Sequence, residues 1–279
     1  MPSITIREII LISSQKLKEV SDSARIDVER LLCKILDVST SYLYTWSEQT
    51  LTSYELQQFK ALFKKRLNGE PVAYLIGEQG FWNLQLIVNK HTLIPRADTE
   101  VLIEVILKKF QQHVKLDLLD LGTGSGAIGL SLAHERPEWQ ITAIDYCEKA
   151  LIVATQNKNR YQLKNVQLLC GNWYTPIGNK QFDIIVSNPP YIDQHDSALC
   201  KHVRKYEPLT ALIANDNGLA NIKQIICDGK THLKPNGFMI IEHGFQQAQS
   251  VTNIFRSYNY GNIQHYQDLN GYIRTTSVN

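Results

Sequence analysis

A chain of 279 residues, 43% of them hydrophobic, has room for one large core and one small one, and is too apolar for disorder. Lys and Arg number 29 against 27 Asp and Glu, whereas wide contact with a phosphate backbone needs a concentrated basic face. Five cysteines, at 33, 147, 170, 200 and 227, are odd in number and without CxxC spacing, which points to free thiols in a reducing cytosol. Arg7 and Glu8 interrupt the first apolar stretch, so it reads as neither signal peptide nor membrane span. The expectation is a cytoplasmic protein with no membrane and no direct nucleic-acid partner.

Residues 1–71 read as a helical domain. Ile6, Ile9, Ile10 and Leu17 form one helical stripe, and Val28, Leu31, Leu32, Ile35 and Leu36 another. Thr52-Ser53-Tyr54-Glu55 has the form of a capping box and opens a helix through Leu56, Phe59, Leu62 and Phe63, closed by Asn68-Gly69. The Lys64-Lys65-Arg66 run reads as a solvated helix face. Glu70-Pro71 marks a boundary, and 72–93 reads as a β-hairpin linker because 81–88 partly alternates. From 94 to 279 strands alternate with helices. Strands are expected at 116–121, 141–145, 166–170, 182–187 and 238–242, the last after the turn Lys234-Pro235-Asn236-Gly237. Helices are expected at 126–135 and 148–162. Segments at 263–268 and 271–276 look like a closing antiparallel pair. The fold class is α/β, a mostly parallel sheet covered on both faces.

Three motifs carry chemistry. Asp120-Leu121-Gly122-Thr123-Gly124-Ser125-Gly126 joins the first strand to its helix, where glycines allow a tight turn and a close ligand approach. Asp145 ends the second strand, placed to bind a ribose. Because 124–129 also satisfies GxGxxG, the loop alone leaves a nicotinamide dinucleotide open beside S-adenosyl-L-methionine. Asp120 favours the latter, since it would accept an amino group and repel a pyrophosphate. Asn172 and Trp173 follow the third strand, where an adenine should rest. Asn188-Pro189-Pro190-Tyr191 ends the fourth strand. The Asn188 amide oxygen and the carbonyls of Ser187 and Pro189 offer acceptors, with no proline N–H to compete. Such a site suits a planar NH2 group, either an amide or the exocyclic amine of a nucleobase. His195, Cys200 and His202 with Asp193 or Asp196 match no zinc spacing, so no metal is expected. His243 reads as a loop or core histidine.

Ile94-Pro95-Arg96-Ala97-Asp98-Thr99-Glu100, Gly122 to Ile128, Asn188-Pro189-Pro190-Tyr191-Ile192, Tyr206-Glu207-Pro208-Leu209-Thr210-Ala211-Leu212, Glu242-His243-Gly244 and 268–274 stand in this order along the chain. Together they resemble the release-factor glutamine methyltransferases (HemK/PrmC). The resemblance implies a class I S-adenosylmethionine-dependent methyltransferase domain, Rossmann-like, with a seven-stranded sheet and an antiparallel C-terminal strand. It implies an N-terminal helical domain that helps hold class I peptide chain release factors. The reaction implied is methylation of the side-chain amide nitrogen (N5) of the glutamine in their Gly-Gly-Gln motif. Cofactor contacts carry over to Gly122 through Gly126, Asp145, Trp173 and Asn188. Asn188 and Pro189 would accept the two amide hydrogens, Pro190 would fix the loop, and Tyr191 would pack on the glutamine. Two departures stand out: Asn172 where the family commonly has Asp, and Ala97 where it has Pro. A nucleic-acid amino methyltransferase, such as an adenine-N6 enzyme, is the alternative.

Overall fold

The structure, a computed structural model, describes residues 4–110, 115–196 and 200–279. It divides into two compact units, Met1–Glu78 and Gln79–Asn279. The first holds helices α1 (Ile6–Leu17), α2 (Ala24–Leu36), α3 (Thr40–Thr45), α4 (Ser53–Leu67) and α5 (Val72–Ile76). Capping boxes start α1 at Thr5/Glu8 and α4 at Thr52/Glu55, each satisfying backbone N–H groups that the first turn leaves without partners. The two stripes meet in one core through Ile6, Ile9, Leu17, Val28, Leu31 and Leu32. Arg66 departs from its expected solvated face. It turns inward to pair with Asp27 at 2.8 Å, both side chains largely buried, and so ties α4 to α2.

Residues 72–93 are not one linker. Val72, Leu75 and Ile76 of α5 pack on the helical core. The hairpin of β1 (Glu78–Phe81) and β2 (Leu84–Ile87) buries Phe81, Leu84 and Leu86 in the core of the second unit. Apolar side chains partition between two cores, and that partition sets the boundary at 78 rather than 71.

The second unit continues with α6 (Glu100–Lys109), β3 (Asp117–Leu121), α7 (Ala127–Glu135), β4 (Gln140–Asp145), α8 (Glu148–Arg160), β5 (Val166–Cys170), β6 (Phe182–Ser187) and β7 (Ile192–Asp193). After these come α9 (Lys201–Tyr206), β8 (Ile213–Ala214), α10 (Ala220–His232), β9 (Leu233–Glu242), α11 (Ala248–Ser257), β10 (Gln264–Gln267) and β11 (Ile273–Val278). Seven strands form one sheet in the order β10-β11-β9-β6-β3-β4-β5, and β11 runs antiparallel to both neighbours. The expected sheet and its antiparallel closing strand are present.

Successive residues of the central strands serve opposite faces. Leu118, Ile184 and Ile240 join α6 and α7 in one cluster, while Leu119, Ile185 and Ile241 join α10 and α11 in the other. Burial on both faces explains why these strands read as continuous apolar runs instead of alternating ones. The turn at 234–237 lies within β9. Phe182 pairs with Leu233 and Ile184 with Phe238, so the extra residues loop out as a bulge and the strand resumes.

Candidate active site

The parallel strands all end on one edge, and a cavity of about 580 Å3 opens there. The order of the sheet places it: β3 is flanked by β4 on one side and β6 on the other, the reversal point where open α/β sheets bind ligands. The loops after β3, β4, β5 and β6 contribute Gly122 and Gly124, Asp145 to Cys147, Gly171 to Trp173, and Asn188 with Pro190.

The glycine loop is held from beneath. Gly122 and Thr123 donate their N–H groups to the Ile144 carbonyl at 2.9 and 3.0 Å, Gly126 to Thr123 at 2.8 Å, and Gly124 to Asp145 Oδ2 at 2.8 Å. These four amides are spent internally, which leaves fewer free N–H groups for a pyrophosphate than an open glycine loop would offer. Gly122 and Gly124 have φ of +75° and +57°, and a Cβ on Gly124 would meet nothing within 4 Å. The turn therefore needs the left-handed region and presents open backbone to the cavity.

Asp120 is a correction. Expected to receive a ligand amino group, it is instead fully buried behind the loop and does not line the cavity. Its Oδ2 accepts from Thr123 Oγ1 at 2.6 Å and from the Gly129 N–H at 3.0 Å. Gly129, the last glycine of the GxGxxG match, admits this approach, because a Cβ there would lie 2.8 Å from Asp120 Oδ2. Burial pushes the Asp120 carboxyl up to about 6, against these two hydrogen bonds, and Asp145 adds repulsion. Asp120 thus shapes the loop. Thr123, Ser125 and Gly126 likewise support the turn from outside the cavity. The Ser125 carbonyl accepts from the buried Asn157 Nδ2, and Gly126 opens α7 at φ +88°.

Asp145 sits where expected. Its Oδ1 accepts from the Cys147 N–H at 2.9 Å and its Oδ2 from Gly124, so both oxygens are oriented while the residue still lines the cavity. Burial raises its pKa, and the backbone donors oppose that rise. Trp173, at φ +47°, lies against Gly122, whose Cβ would come 3.6 Å from the indole. Asn172 lines the same wall.

The tetrapeptide divides. Asn188 and Pro190 line the cavity, whereas Pro189 is buried and Tyr191 points elsewhere. Asn188 Nδ2 donates to Thr99 Oγ1 at 3.0 Å. Tyr191 corrects the expectation that it packs on a substrate side chain. Its Oη donates to Glu242 Oε1 at 3.0 Å, and its ring packs on the core beside α10. Ser187 is fully buried between β3 and β9, so its carbonyl does not serve the cavity. The Pro190 and Tyr191 carbonyls accept from Asn221 Nδ2 and Gln247 Nε2, while the Pro189 carbonyl has no partner among the described residues.

His91, Thr92 and Leu93, with Pro208, Thr210, Ala211 and Ile213, complete the cavity and were not singled out as site residues. His91 to Leu93 precede the 94–100 motif, and Pro208, Thr210 and Ala211 stand within the 206–212 motif with Ile213 just after it, which was the available signal. Buried Glu207 staples the two segments, accepting from the Ile94 N–H at 3.1 Å and from Arg96 at 2.5 Å. His243 is a core residue, bonded to Thr276 Oγ1 at 2.7 Å and held neutral by burial, its pKa down to about 4. Among the described residues, no group of three or more His, Cys, Asp or Glu converges to hold a metal ion. No helix among them is long and apolar enough to cross a membrane.

The turn after Asn215 is a sensitive support. Gly218 has φ +83°, and a Cβ there would stand 2.0 Å from the Tyr191 carbonyl oxygen. Gly218→Ala combines left-handed strain with a backbone clash, so it should cost about 2–4 kcal/mol in denaturant unfolding. An unchanged midpoint would contradict this packing.

Such a sheet order, with an acidic strand end after a glycine loop and Asn-Pro-Pro at the fourth strand, defines a class I S-adenosylmethionine-dependent methyltransferase. The solved methyltransferase from Pyrococcus furiosus shares the fold at TM-score 0.53 and 18% identity, over 80% of this chain and 97% of that one. So does the Thermus thermophilus 16S rRNA N2 G1207 methyltransferase, solved with AdoMet and guanosine, at TM-score 0.50 and 15% identity, over 72% and 49%. A family model described as the PrmC N-terminal domain matches residues 8–77, and one described as the methyltransferase small domain matches 96–204. The release factor glutamine methyltransferase of Aliivibrio fischeri is 41% identical over 276 residues, covering 98% of this chain and 97% of that protein. The chain belongs to the release factor glutamine methyltransferase family.

Proposed function

We propose that the enzyme methylates N5 of the glutamine in the Gly-Gly-Gln motif of class I release factors. The observation that carries this reading is Asn188, whose amide nitrogen is tied back to Thr99 so that its oxygen is free for the cavity. An amide nitrogen is a weak nucleophile, its lone pair delocalised into the carbonyl. Acceptors for both of its hydrogens would turn that lone pair toward the methyl donor and favour positive charge as it develops on nitrogen. Asn188 Oδ1, on the cavity, is the first acceptor; the second would be the Pro189 carbonyl, which has no partner among the described residues although Pro189 itself does not line the cavity.

The residues present suit S-adenosylmethionine. Asp145, oriented by two backbone N–H groups, would accept from ribose hydroxyls; Asn172 and Trp173 would take the adenine; Gly122 and Gly124 would let the donor approach the backbone. The donor, when bound, supplies an electrophilic sulfonium methyl group. Asn172 keeps an acceptor oxygen where the family's Asp has two, so adenine binding should persist. Domain roles follow the same reading: the helical unit, which exposes Leu11, Ile12, Tyr44, Trp46 and Tyr54, would hold the release factor. A cytoplasmic site of action suits a translation factor as substrate.

The test is transfer of labelled methyl from S-adenosylmethionine to a release factor, its Gln→Ala variant, or DNA. Label on the wild-type release factor alone is expected. Label on DNA instead would favour an exocyclic-amine substrate and sink the glutamine reading.

A further inference from the structure

We propose that Thr99, beside buried Glu242, is a positioning residue for methyl transfer, and that its hydroxyl, by holding the Asn188 amide nitrogen, sets which end of that amide the substrate meets. This rests on the glutamine reading of the site. Thr99 is 4% exposed and lies just before α6, and Glu242, 2% exposed, ends β9. The Thr99 hydroxyl has one proton to give. Glu242 stands beside it: the Thr99 hydroxyl favours the ionised form of that carboxyl, whose Oε1 receives Tyr191 Oη at 3.0 Å. Once Glu242 is ionised, above about pH 7, that proton has an acceptor there and Thr99 Oγ1 is left to accept from Asn188. A hydrogen-bond acceptor at that point selects the NH2 end of the amide, because its oxygen would meet another oxygen lone pair. Asn188 Nδ2 does donate there, at 3.0 Å, and Oδ1 is thereby presented to the cavity. Tyr191, which does not line the cavity, gains a role in the same way: it holds the Glu242 carboxyl beside Thr99.

The segment carrying Thr99 is held along its length. Arg96 pairs with Glu207, Asp98 lies 3.5 Å from Arg274, and Glu100 accepts from the Trp82 N–H at 2.8 Å. Thr99 therefore stands on a fixed support, which is what an orienting group requires.

Thr99→Val keeps the shape and removes the hydroxyl; Thr99→Ser keeps the hydroxyl. Two measurements decide the matter. In the first, water exchange of the Asn188 side-chain NH2 is followed by NMR, its signal identified by loss in Asn188→Ala. Exchange should be about tenfold faster or more in Thr99→Val and near wild type in Thr99→Ser. In the second, single-turnover methyl transfer to a release factor should fall about tenfold or more in Thr99→Val, with S-adenosylmethionine affinity within twofold and recovery in Thr99→Ser. Unchanged exchange in Thr99→Val overturns the inference, and so does faster exchange with wild-type transfer. The exchange measurement needs no substrate. Failure of wild-type enzyme to label any release factor would therefore count against the glutamine reading while leaving the orientation of Asn188 decided.

Discussion

Asn188→Ala should lower single-turnover methyl transfer by about 10² or more while leaving S-adenosylmethionine affinity within a few-fold of wild type. The separation follows from where the side chain stands. The glycine loop and Asp145 hold their geometry through bonds among themselves, and none of those bonds involves Asn188. The lost oxygen is a pre-oriented acceptor, so its effect falls on the chemical step, where charge develops. Rapid-quench transfer with calorimetric titration of the cofactor would check both halves. Transfer at the wild-type rate would mean that the substrate nitrogen is oriented by something else. A parallel loss of cofactor affinity would make Asn188 a structural element of the donor site.

Glu242→Gln should make the protein progressively more stable relative to wild type as pH rises from about 4.5 to about 7. Burial pushes this carboxyl from 4.5 up to about 7, with Thr99, Tyr191 and Arg274 opposing the rise and Asp98 adding to it. Between those values the unfolded chain holds an ionised carboxylate while the folded chain retains the proton. Each step up in pH across the window therefore favours unfolding, and above about 7 the two states titrate alike. The full difference is on the order of 3 kcal/mol. The amide resembles the protonated acid and does not titrate, so the variant should lose this slope. Buried Asp120, raised to about 6, acts in the same direction at slightly lower pH and remains in both proteins. Denaturant midpoints at pH 4.5, 6 and 7.5 would show the two curves diverging. Parallel curves would show that Glu242 is ionised in the folded protein throughout.

Much of the site was legible in the chain. The apolar runs at 182–187 and 238–242 announced strands buried on both faces, and the glycines at 122 and 124 announced a turn with positive φ. Asp145 and Asn188 stand at strand ends on the cavity, because each directly ends or follows an apolar run. The misreadings share one cause. Asp120 and Tyr191 are polar residues inside functional motifs, and a linear reading gives every polar residue of a motif to the ligand. Asp120 instead satisfies Thr123 and Gly129, and Tyr191 satisfies Glu242 at the end of the neighbouring strand, 51 residues away in sequence.

The sequence by itself determined the sheet class, the glycine turn, the acidic strand end and the acceptor tetrapeptide, since each depends on neighbours within a few residues. Only the tertiary structure decided which polar atoms face the cavity and which are spent on support. That choice depends on partners distant in sequence, such as Thr99 against Asn188 and Glu207 against Arg96. A buried polar group must find a partner wherever the fold brings one, and spacing along the chain does not report that distance.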